Sequence, residues 1–189
     1  TAIKGFVETL QHGGVEDVEK AQRFLSIIER HVNRLSIIVE DLLKLSRIER
    51  EEEAGKIRFV EAPLDSILRS AVGLCQARAE EKGIHIEVDC APDLRAPVDA
   101  SLIEQAVVNL LDNAVNYTGE NGRIRVEAES DGDRIRLRVI DSGIGIARQH
   151  LPRLFERFYR VDKARSRKLG GTGLGLSIVK HIVQAHGGT

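Results

Sequence analysis

The sequence contains no methionine and no tryptophan, and aromatic residues make up only 4% of its 189 residues. Aliphatic side chains must therefore form most of any core. There are only two cysteines, Cys75 and Cys90, and their positions fit neither a metal-binding spacing nor a disulfide framework. We expect both to be reduced, apolar residues.

The chain also lacks an excess of charge and a long apolar run. Its formal net charge is −1, which argues against binding to nucleic acid or to an anionic membrane surface through overall charge. No stretch approaches the roughly 20 apolar residues of a membrane span, and no signal peptide opens the chain. Any membrane anchor is therefore expected to lie outside this sequence.

An apolar stripe with heptad-like spacing marks the N-terminal quarter of the chain. Additional apolar residues beside it make the stripe wider than a two-stranded seam, which favours a four-helix bundle. We predict that residues 1–53 form a helical hairpin, interrupted at Gly13-Gly14, that dimerises with a second copy of the chain. The alternative is one long helix folded back on the following domain. The stripe consists of Phe24, Ile28, His31, Leu35, Ile38, Leu42 and Leu45, flanked by Ile27, Val32, Val39 and Leu43.

A second domain of mixed helices and antiparallel strands is predicted over residues 54–189, after a linker at 51–55. Apolar periodicity predicts helices separated by shorter alternating segments that read as strands. Asp99 or Ser101 is a plausible cap for the second of these helices. The predicted strands are Lys56–Val60, Ile84–Val88, Arg123–Glu129 and Arg134–Ile140; the predicted helices are Leu64–Glu81, Ser101–Tyr117 and a last one that ends near His186.

A short turn with two glycines directly follows the last predicted strand. Residues 141–146 read Asp-Ser-Gly-Ile-Gly-Ile. Glycine allows the backbone to approach a ligand closely, and Asp141 offers a carboxylate acceptor. The segment fits a ligand-binding turn, but the same residues could form only a tight turn after an edge strand.

A second glycine-rich stretch, Gly170–Ser177, opens the last predicted helix. A glycine loop that enters a helix N-terminus presents backbone N–H groups and the positive end of the helix dipole, which suits phosphate. The spacing matches neither the dinucleotide-binding fingerprint nor the P-loop. Such glycines can also serve packing alone, so this loop by itself remains an ambiguous signal.

Two asparagines lie four residues apart on the predicted helix Ser101–Tyr117. Asn109 and Asn113 therefore share one helix face. Their amide oxygens could bind a hard cation such as Mg²⁺, which prefers oxygen ligands. The alternative, two solvated surface amides, is weakened by the two glycine motifs elsewhere in the chain.

A basic segment separates the two glycine motifs. Residues 147–169 contain eight basic and two acidic residues. A positive loop flanked by glycines fits a lid over a polyphosphate, although a solvated basic face has the same composition. We expect Phe155, Phe158 and Tyr159 to anchor its beginning to the core.

Together these segments resemble the nucleotide-binding domain of bacterial sensor histidine kinases. Residues 41–49 also resemble the end of that family's dimerisation and phosphoacceptor domain. The resemblance implies an α+β chain in which a dimeric helical bundle precedes a Bergerat (GHKL) α/β sandwich. The matching motifs are the asparagine box at Asn109–Thr118, the first glycine box at Asp141–Ile146, the phenylalanine box at Leu154–Arg160 and the second glycine box at Gly170–Ile178.

The resemblance also implies a role for individual residues. Asp141 would accept a hydrogen bond from the adenine amino group of ATP, and Gly145 would back the ring. Asn109 and Asn113 would hold Mg²⁺, and these two with Arg160 would form the catalytic set. Related ATPases have a glutamate base at the position of Asn109; an amide cannot take that proton, which favours phosphoryl transfer over hydrolysis. The other residues implied to bind the nucleotide are Asn116, Tyr117, Gly143, Ile146, Gly171, Thr172, Gly173, Leu174 and Gly175.

Two features depart from the family pattern. Asn116 stands where the family often has a basic residue. Residues 1–5 resemble the segment just after the family's histidine box, so the phosphoacceptor histidine is expected upstream of Thr1 and absent from this chain, and none of the six histidines here replaces it by motif. The family usually continues with further strands after residues 187–189, which indicates a truncation at both ends.

The predicted function is that of an ATP-dependent protein-histidine kinase core from a two-component system. The resemblance implies phosphoryl transfer onward to an aspartate on a response-regulator receiver domain. It also implies the cytoplasmic portion of a sensor anchored in the inner membrane, and residues 5–10 and 24–25 resemble sensors of the phosphate-regulon type. The alternatives are a gyrase-like or chaperone-like ATPase of the same fold and a non-catalytic dimerisation scaffold.

Overall fold

The computed structural model describes Gly5, Val7, residues 18–162 and residues 171–189. Residues 1–43 and 44–189 form two compact units. The first helix, α1, is described from Val18 to Glu53 and contributes to both units. The predicted hairpin turn at Gly13-Gly14 lies outside the described residues, and the predicted domain boundary after Glu53 stays a prediction.

The part of α1 in the first unit exposes much of its apolar stripe. Leu35 is 53% exposed and Val39 is 54% exposed, and His31 is also an exposed residue. Apolar side chains that recur at helical spacing and remain in solvent are typical of an interface. Among the described residues, no helix is both long and apolar enough to cross a membrane.

The last turns of α1 pack differently, because they belong to the second unit. Leu45 and Ile48 are almost fully buried. Glu49 forms an ion pair with Arg157, and its Oε1 lies 3.5 Å from Nε2 of His181. The C-terminal end of α1 is therefore attached to the larger unit by apolar burial and by a small charged cluster.

The larger unit contains three further α-helices, five strands and one 3-10 helix among its described residues. Along the chain, a helix follows each single strand or pair of strands. The elements are β1 (Val60–Pro63), α2 (Leu64–Glu80), β2 (His85–Cys90), β3 (Arg95–Val98), α3 (Ala100–Tyr117), β4 (Arg123–Asp131), β5 (Arg134–Asp141), a 3-10 helix (Arg148–Arg153) and α4 (Gly175–Ala185).

The strands form two sheets. Strands β2, β4 and β5 form a three-stranded sheet in that order, and β1 pairs with β3 in a two-stranded ribbon. Strand β4 is parallel to β2 and antiparallel to β5. The prediction of antiparallel strands alone was therefore wrong for β2 and β4; their connection through β3 and α3 is long enough for a parallel crossover.

One face of the three-stranded sheet is apolar and the other is charged. The alternate residues Ile124, Val126 and Ala128 of β4 are buried. Helices α2 and α3 contact the sheet, and α4 packs against α3, so the helices cover the apolar face. On the charged face, Arg138 pairs with both Glu127 and Glu129. This α/β architecture confirms the predicted fold class.

Two short strands show where sequence patterns were insufficient. The predicted strand Lys56–Val60 overlaps the observed β1 at Val60 alone, and β3 was not predicted. Pro97 in β3 lies opposite Glu61, in a ribbon of two edge strands where proline can be accommodated. Neither strand is long enough to show a clear alternation.

Candidate nucleotide-binding site

Helix α3 carries the predicted asparagine motif. It begins after Asp99, whose Oδ1 accepts a hydrogen bond from the Leu102 N–H at 3.1 Å, a side-chain cap that satisfies one of the first-turn donors. Asn109, Asn113 and Asn116 follow one another at four and three residues and so share one helix face. Buried apolar residues on the opposite side of the helix fix its rotation, so the three amides share the other, half-buried side; the buried residues are Val107, Leu111 and Ala114.

Asn109 is the most confined of these amides. Its Nδ2 atom is buried and has no hydrogen-bond partner in the described part of the chain. A buried polar atom without a partner is costly and uncommon in folded proteins. Gly175, at the start of α4, lies so close that a methyl group on it would be 3.9 Å from the Asn109 side chain. Asn109 therefore adjoins the second glycine motif and has unused capacity for a polar ligand.

The first glycine turn is attached to the other end of α3. Asp141 Oδ1 accepts a hydrogen bond from the Gly143 N–H at 2.8 Å. A Cβ atom on Gly143 would lie only 2.6 Å from the carbonyl oxygen of Tyr117, and the N–H of Ile144 donates to that oxygen at 3.4 Å. The turn thus fits against α3 only because residue 143 is glycine, and one oxygen of the Asp141 carboxylate already holds the turn in shape.

Gly145 has a left-handed backbone conformation in the same turn. Its φ is +67°, and no atom lies within 4 Å of the position that a Cβ would take. The glycine is required by the backbone conformation, not by crowding. Ile144 and Ile146 on either side expose 62% and 47% of their surface. The turn therefore presents backbone and apolar surface together, as expected of a site for a flat ring.

The phenylalanine segment is joined to the second glycine motif by its backbone. The N–H of Phe158 donates to the carbonyl oxygen of Gly173 at 2.9 Å. Phe158 has a φ of +63° and Gly173 a φ of +80°. A positive φ is strained for a bulky residue such as phenylalanine, and such conformations are frequent at functional sites.

The predicted anchoring of this segment through phenylalanine side chains was wrong. Phe155 and Phe158 are 46% and 53% exposed. Tyr159, the third residue of that prediction, is half-buried. Its hydroxyl is 2.7 Å from Nδ1 of His150, and Arg153 stacks 4.4 Å from the centre of its ring, so these contacts hold the segment together internally. Exposed phenylalanines beside a candidate site indicate a surface that a ligand or partner covers.

The second glycine motif leads directly into α4. Thr172 Oγ1 accepts a hydrogen bond from the Leu174 N–H at 3.2 Å, and the buried Ser177 hydroxyl donates to the Leu174 carbonyl at 2.7 Å. Leu174 itself is completely buried. These contacts fix the first turn of α4, whose backbone N–H groups have no helical acceptor and suit an anionic ligand.

Helix α3 is therefore the element that unites the predicted site. Its middle, at Asn109, adjoins Gly175, and its end, at Tyr117, adjoins Gly143. Asn113 and Asn116 lie on the same face between these points. Gly171 and Arg160 lie in chain segments next to the Phe158–Gly173 contact. Residues 163–169 of the predicted lid, and Gly170 of the second glycine motif, lie outside the described residues.

Two open clefts lie away from this site. One of about 530 Å³ lies along α1 beside Leu25 and Val32. Another of about 600 Å³ is lined by Glu49, Glu52, Glu53, His181 and Gln184. The candidate site is defined by close backbone approach and by the Asn109 amide.

Sequence patterns missed one basic residue beside the site. Lys82 contacts the end of α3 through three carbonyl oxygens. Its only signal in the sequence is its position directly before Gly83, where helix α2 was predicted to stop. A lysine near a helix end is too common to be singled out without the structure.

Two family models match the chain. The model of the His Kinase A (phospho-acceptor) domain matches residues 1–51. The model of the histidine kinase-, DNA gyrase B- and HSP90-like ATPase matches residues 98–189, which include α3 and both glycine motifs. The fold and this match define residues 98–189 as an ATP-binding domain of that class.

Curated relatives match almost the whole chain. The phosphate regulon sensor protein PhoR of Pseudomonas aeruginosa is 38% identical over 187 residues, which cover 98% of this chain and 42% of PhoR. The sensor histidine kinase WalK of Bacillus subtilis is 35% identical over 193 residues, which cover 100% of this chain and 31% of WalK. The chain thus spans less than half the length of these relatives, and its resemblance to phosphate-regulon sensors stays a prediction.

Solved structures of histidine kinases are also similar. The catalytic domain of histidine kinase ThkA is 30% identical with a TM-score of 0.60, and the match covers 68% of this chain and 81% of that one. Full-length ShkA in complex with AMPPNP is 31% identical with a TM-score of 0.66, covering 89% and 34% of the two chains. ThkA in complex with the response regulator protein TrrA is 27% identical with a TM-score of 0.66, covering 84% and 46%. This chain belongs to the family of two-component sensor histidine kinases.

Proposed function

We propose that this chain is the phosphoryl-donor core of a two-component protein-histidine kinase, with ATP and Mg²⁺ bound along helix α3. The observation that carries the proposal is the buried Asn109 amide, which has an unpaired polar atom beside Gly175. A phosphate oxygen or a metal-bound water is the kind of group that would satisfy it. The complex of the similar kinase ShkA with AMPPNP supports a nucleotide in this role.

The nucleotide is proposed to lie with its base at the first glycine turn. Asp141 would accept a hydrogen bond from the adenine amino group, because Gly143 occupies only one of its oxygens. Gly145 and the exposed Ile146 would lie against the ring. The phosphates would then extend along the amide face of α3 toward the first turn of α4, where Tyr117, Arg160 and the backbone of the Gly171–Gly175 loop would bind them.

Asn109 and Asn113 fit a magnesium site by the chemistry of their donors. Both offer neutral amide oxygens on one helix face, and Mg²⁺ in nucleotide sites keeps several waters and is bound through few protein ligands. When bound, Mg²⁺ would neutralise charge on the phosphates. Asn109 offers no proton acceptor for activating water, which favours transfer to a protein side chain over hydrolysis.

The partners proposed for the whole protein follow from α1. Its exposed apolar stripe, which includes Leu35 and Val39, supports a homodimer in which a second copy covers the same surface. The phosphoryl group would pass from a histidine on this helical region, expected upstream of Thr1, to an aspartate on a response regulator. The ThkA–TrrA complex supports a regulator of this kind as a partner. We further propose that the intact protein is anchored in the membrane by segments outside this chain.

The ATP site is tested by replacing Asp141 with alanine. Loss of a hydrogen bond to a charged group costs about 1.5–3 kcal/mol, so ATP should bind about 10- to 150-fold more weakly. Calorimetry on the wild type and the variant measures this directly. Asp133→Ala, in the hairpin turn between β4 and β5, removes an equal charge away from the site and should leave the affinity unchanged.

Asp141→Asn adds a test of base recognition. A carboxylate can only accept a hydrogen bond, whereas an amide can also donate one, so the preference of the wild type for ATP over GTP should shrink in this variant. Equal ATP affinity of wild type, Asp141→Ala and Asp133→Ala would remove the proposed adenine site. It would also favour the alternative of a helical scaffold with a degenerate nucleotide site.

A further inference from the structure

The side chain of Lys82 ends in a set of backbone oxygens. Its Nζ donates to the carbonyl of Val115 at 2.6 Å and lies 3.4 Å from the carbonyls of Asn116 and Thr118. An ammonium group has three donors. All three of these acceptors are main-chain carbonyls of one turn, so the ammonium links them and holds the turn in place.

The turn that the ammonium binds is the C-terminal end of α3. Carbonyls in the last turn of a helix lack helical donors, and the negative end of the helix dipole lies there. A lysine in this place satisfies both needs. No basic residue occurs in the last turn of α3 itself, so Lys82, in the turn that follows α2, supplies a positive charge there.

The backbone of Lys82 is fixed as well. Its carbonyl accepts a hydrogen bond from the Asn121 N–H at 2.9 Å. Gly83 follows with a φ of +63°, and a Cβ there would lie 2.6 Å from Asn121 Oδ1. The start of the Lys82 side chain is thus held against the loop that joins α3 to β4, and its far end is held by α3.

The same turn of α3 supports the first glycine motif. Tyr117 lies between the carbonyls that Lys82 binds, and its own carbonyl oxygen receives the Ile144 N–H at 3.4 Å. Gly143 fits against that oxygen with no room for a Cβ. A displacement of the Tyr117 carbonyl would therefore move the turn that begins at Asp141.

We propose that Lys82 is a positioning residue for the base end of the nucleotide site. It does not contact the nucleotide; it holds residues 115–118 so that the Tyr117 carbonyl keeps the Asp141–Gly145 turn in its binding shape. This inference rests on the proposed function, because it assigns Lys82 to the ATP site proposed above. It adds a residue from the turn after α2, outside all four motifs.

The test uses Lys82→Met, which keeps the length and the apolar stem of the side chain and removes the ammonium. We expect ATP affinity to fall about fivefold, or about 1 kcal/mol. We also expect the Ile144 amide to exchange with solvent about tenfold faster in the absence of nucleotide, because its acceptor is no longer fixed. Lys82→Arg keeps the charge but spreads its donors over a planar fork, and should give intermediate values on both measurements.

Arg78→Met is the matched control. Arg78 also joins α2 to α3, through an ion pair with Asp112, but it contacts the middle of α3. The Arg78→Met variant should have lower thermal stability, with unchanged ATP affinity and unchanged exchange of the Ile144 amide. The exchange of Ile178, whose N–H donates to Leu174 within the α4 region, should remain constant in all variants.

The outcomes separate this inference from the proposed function. If the wild type does not bind ATP, the proposed function fails, whereas faster Ile144 exchange in Lys82→Met would still show that Lys82 fixes the turn. If the wild type binds ATP and Lys82→Met matches it in affinity and in exchange, the positioning role is wrong. A loss of affinity in Arg78→Met equal to that in Lys82→Met would reduce Lys82 to a general stabilising contact. If Lys82→Met does not fold, Lys82→Arg with wild-type values on both measurements overturns the role.

Discussion

In a longer version of the chain that includes the residues preceding Thr1, replacing Asn113 by alanine is expected to lower the rate of phosphoryl transfer from ATP by about 100-fold or more, the usual cost of losing one group that stabilises transition-state charge. The proposed role of Asn113 is to bind the metal on the phosphates from the amide face of α3. Alanine is a better helix former than asparagine, so the fold should persist. The initial rate of label incorporation from ATP labelled at the γ-phosphate, measured over a range of Mg²⁺ concentrations, gives the effect and should show that the variant gains much less from Mg²⁺.

Ser101→Ala is the control for this prediction. Ser101 lies exposed in the first turn of the same helix, away from the amide face. The Ser101→Ala variant of the longer version should incorporate phosphate at the wild-type rate. An Asn113→Ala variant with wild-type rate and wild-type Mg²⁺ dependence would exclude Asn113 from the site.

Gly143→Ala is expected to have the second largest effect. The added Cβ would lie 2.6 Å from the Tyr117 carbonyl oxygen and 2.7 Å from Asp141 Oδ1. The first oxygen belongs to the end of α3 and the second to the turn itself, so the turn must open or move away from α3 to make room. We expect a loss of about 1–3 kcal/mol in unfolding free energy, as for overpacked sites, and ATP affinity at least about tenfold weaker because Asp141 moves with the turn.

The helical Gly73 provides a matched control for Gly143. A Cβ at Gly73 would meet no atom within 4 Å, so Gly73→Ala should raise stability by about 0.5–1 kcal/mol through helix propensity and leave ATP binding unchanged. Denaturant unfolding and calorimetry on the two variants measure both quantities. Gly143→Ala with unchanged stability and unchanged ATP affinity would contradict the crowding at this turn.

The long periodic elements could be predicted from the sequence because each shows its own burial pattern. The predicted helix Leu64–Glu81 differs from α2 by one residue at its end, and Ser101–Tyr117 differs from α3 by one residue at its beginning. The capping role of Asp99 was also confirmed. The ribbon β1–β3 could not be predicted, because four-residue strands show too little alternation and the pairing of Glu61 with Pro97 depends on the tertiary fold.

The residues proposed for the site could be identified from motifs, but not the contacts that join them. Spacing placed Asn109 and Asn113 on one face. It did not indicate that Gly175 lies against Asn109 or that Gly143 lies against the Tyr117 carbonyl, since these contacts depend on how α3 packs between two distant turns. Lys82 belongs to none of the motifs. Phe155 and Phe158 were expected to be buried because they are apolar, but both are exposed.

The central claim, that this chain donates a phosphoryl group from ATP to a histidine, is tested most directly with ATP labelled at the γ-phosphate. The chain is incubated with Mg²⁺ and labelled ATP, alone and beside a longer version that includes the residues preceding Thr1. We predict label on the longer version only, lost in acid and retained in base as expected of a phosphohistidine, and absent from its Asn113→Ala variant. Acid-stable label, or label of equal amount on the shorter chain, would contradict the account.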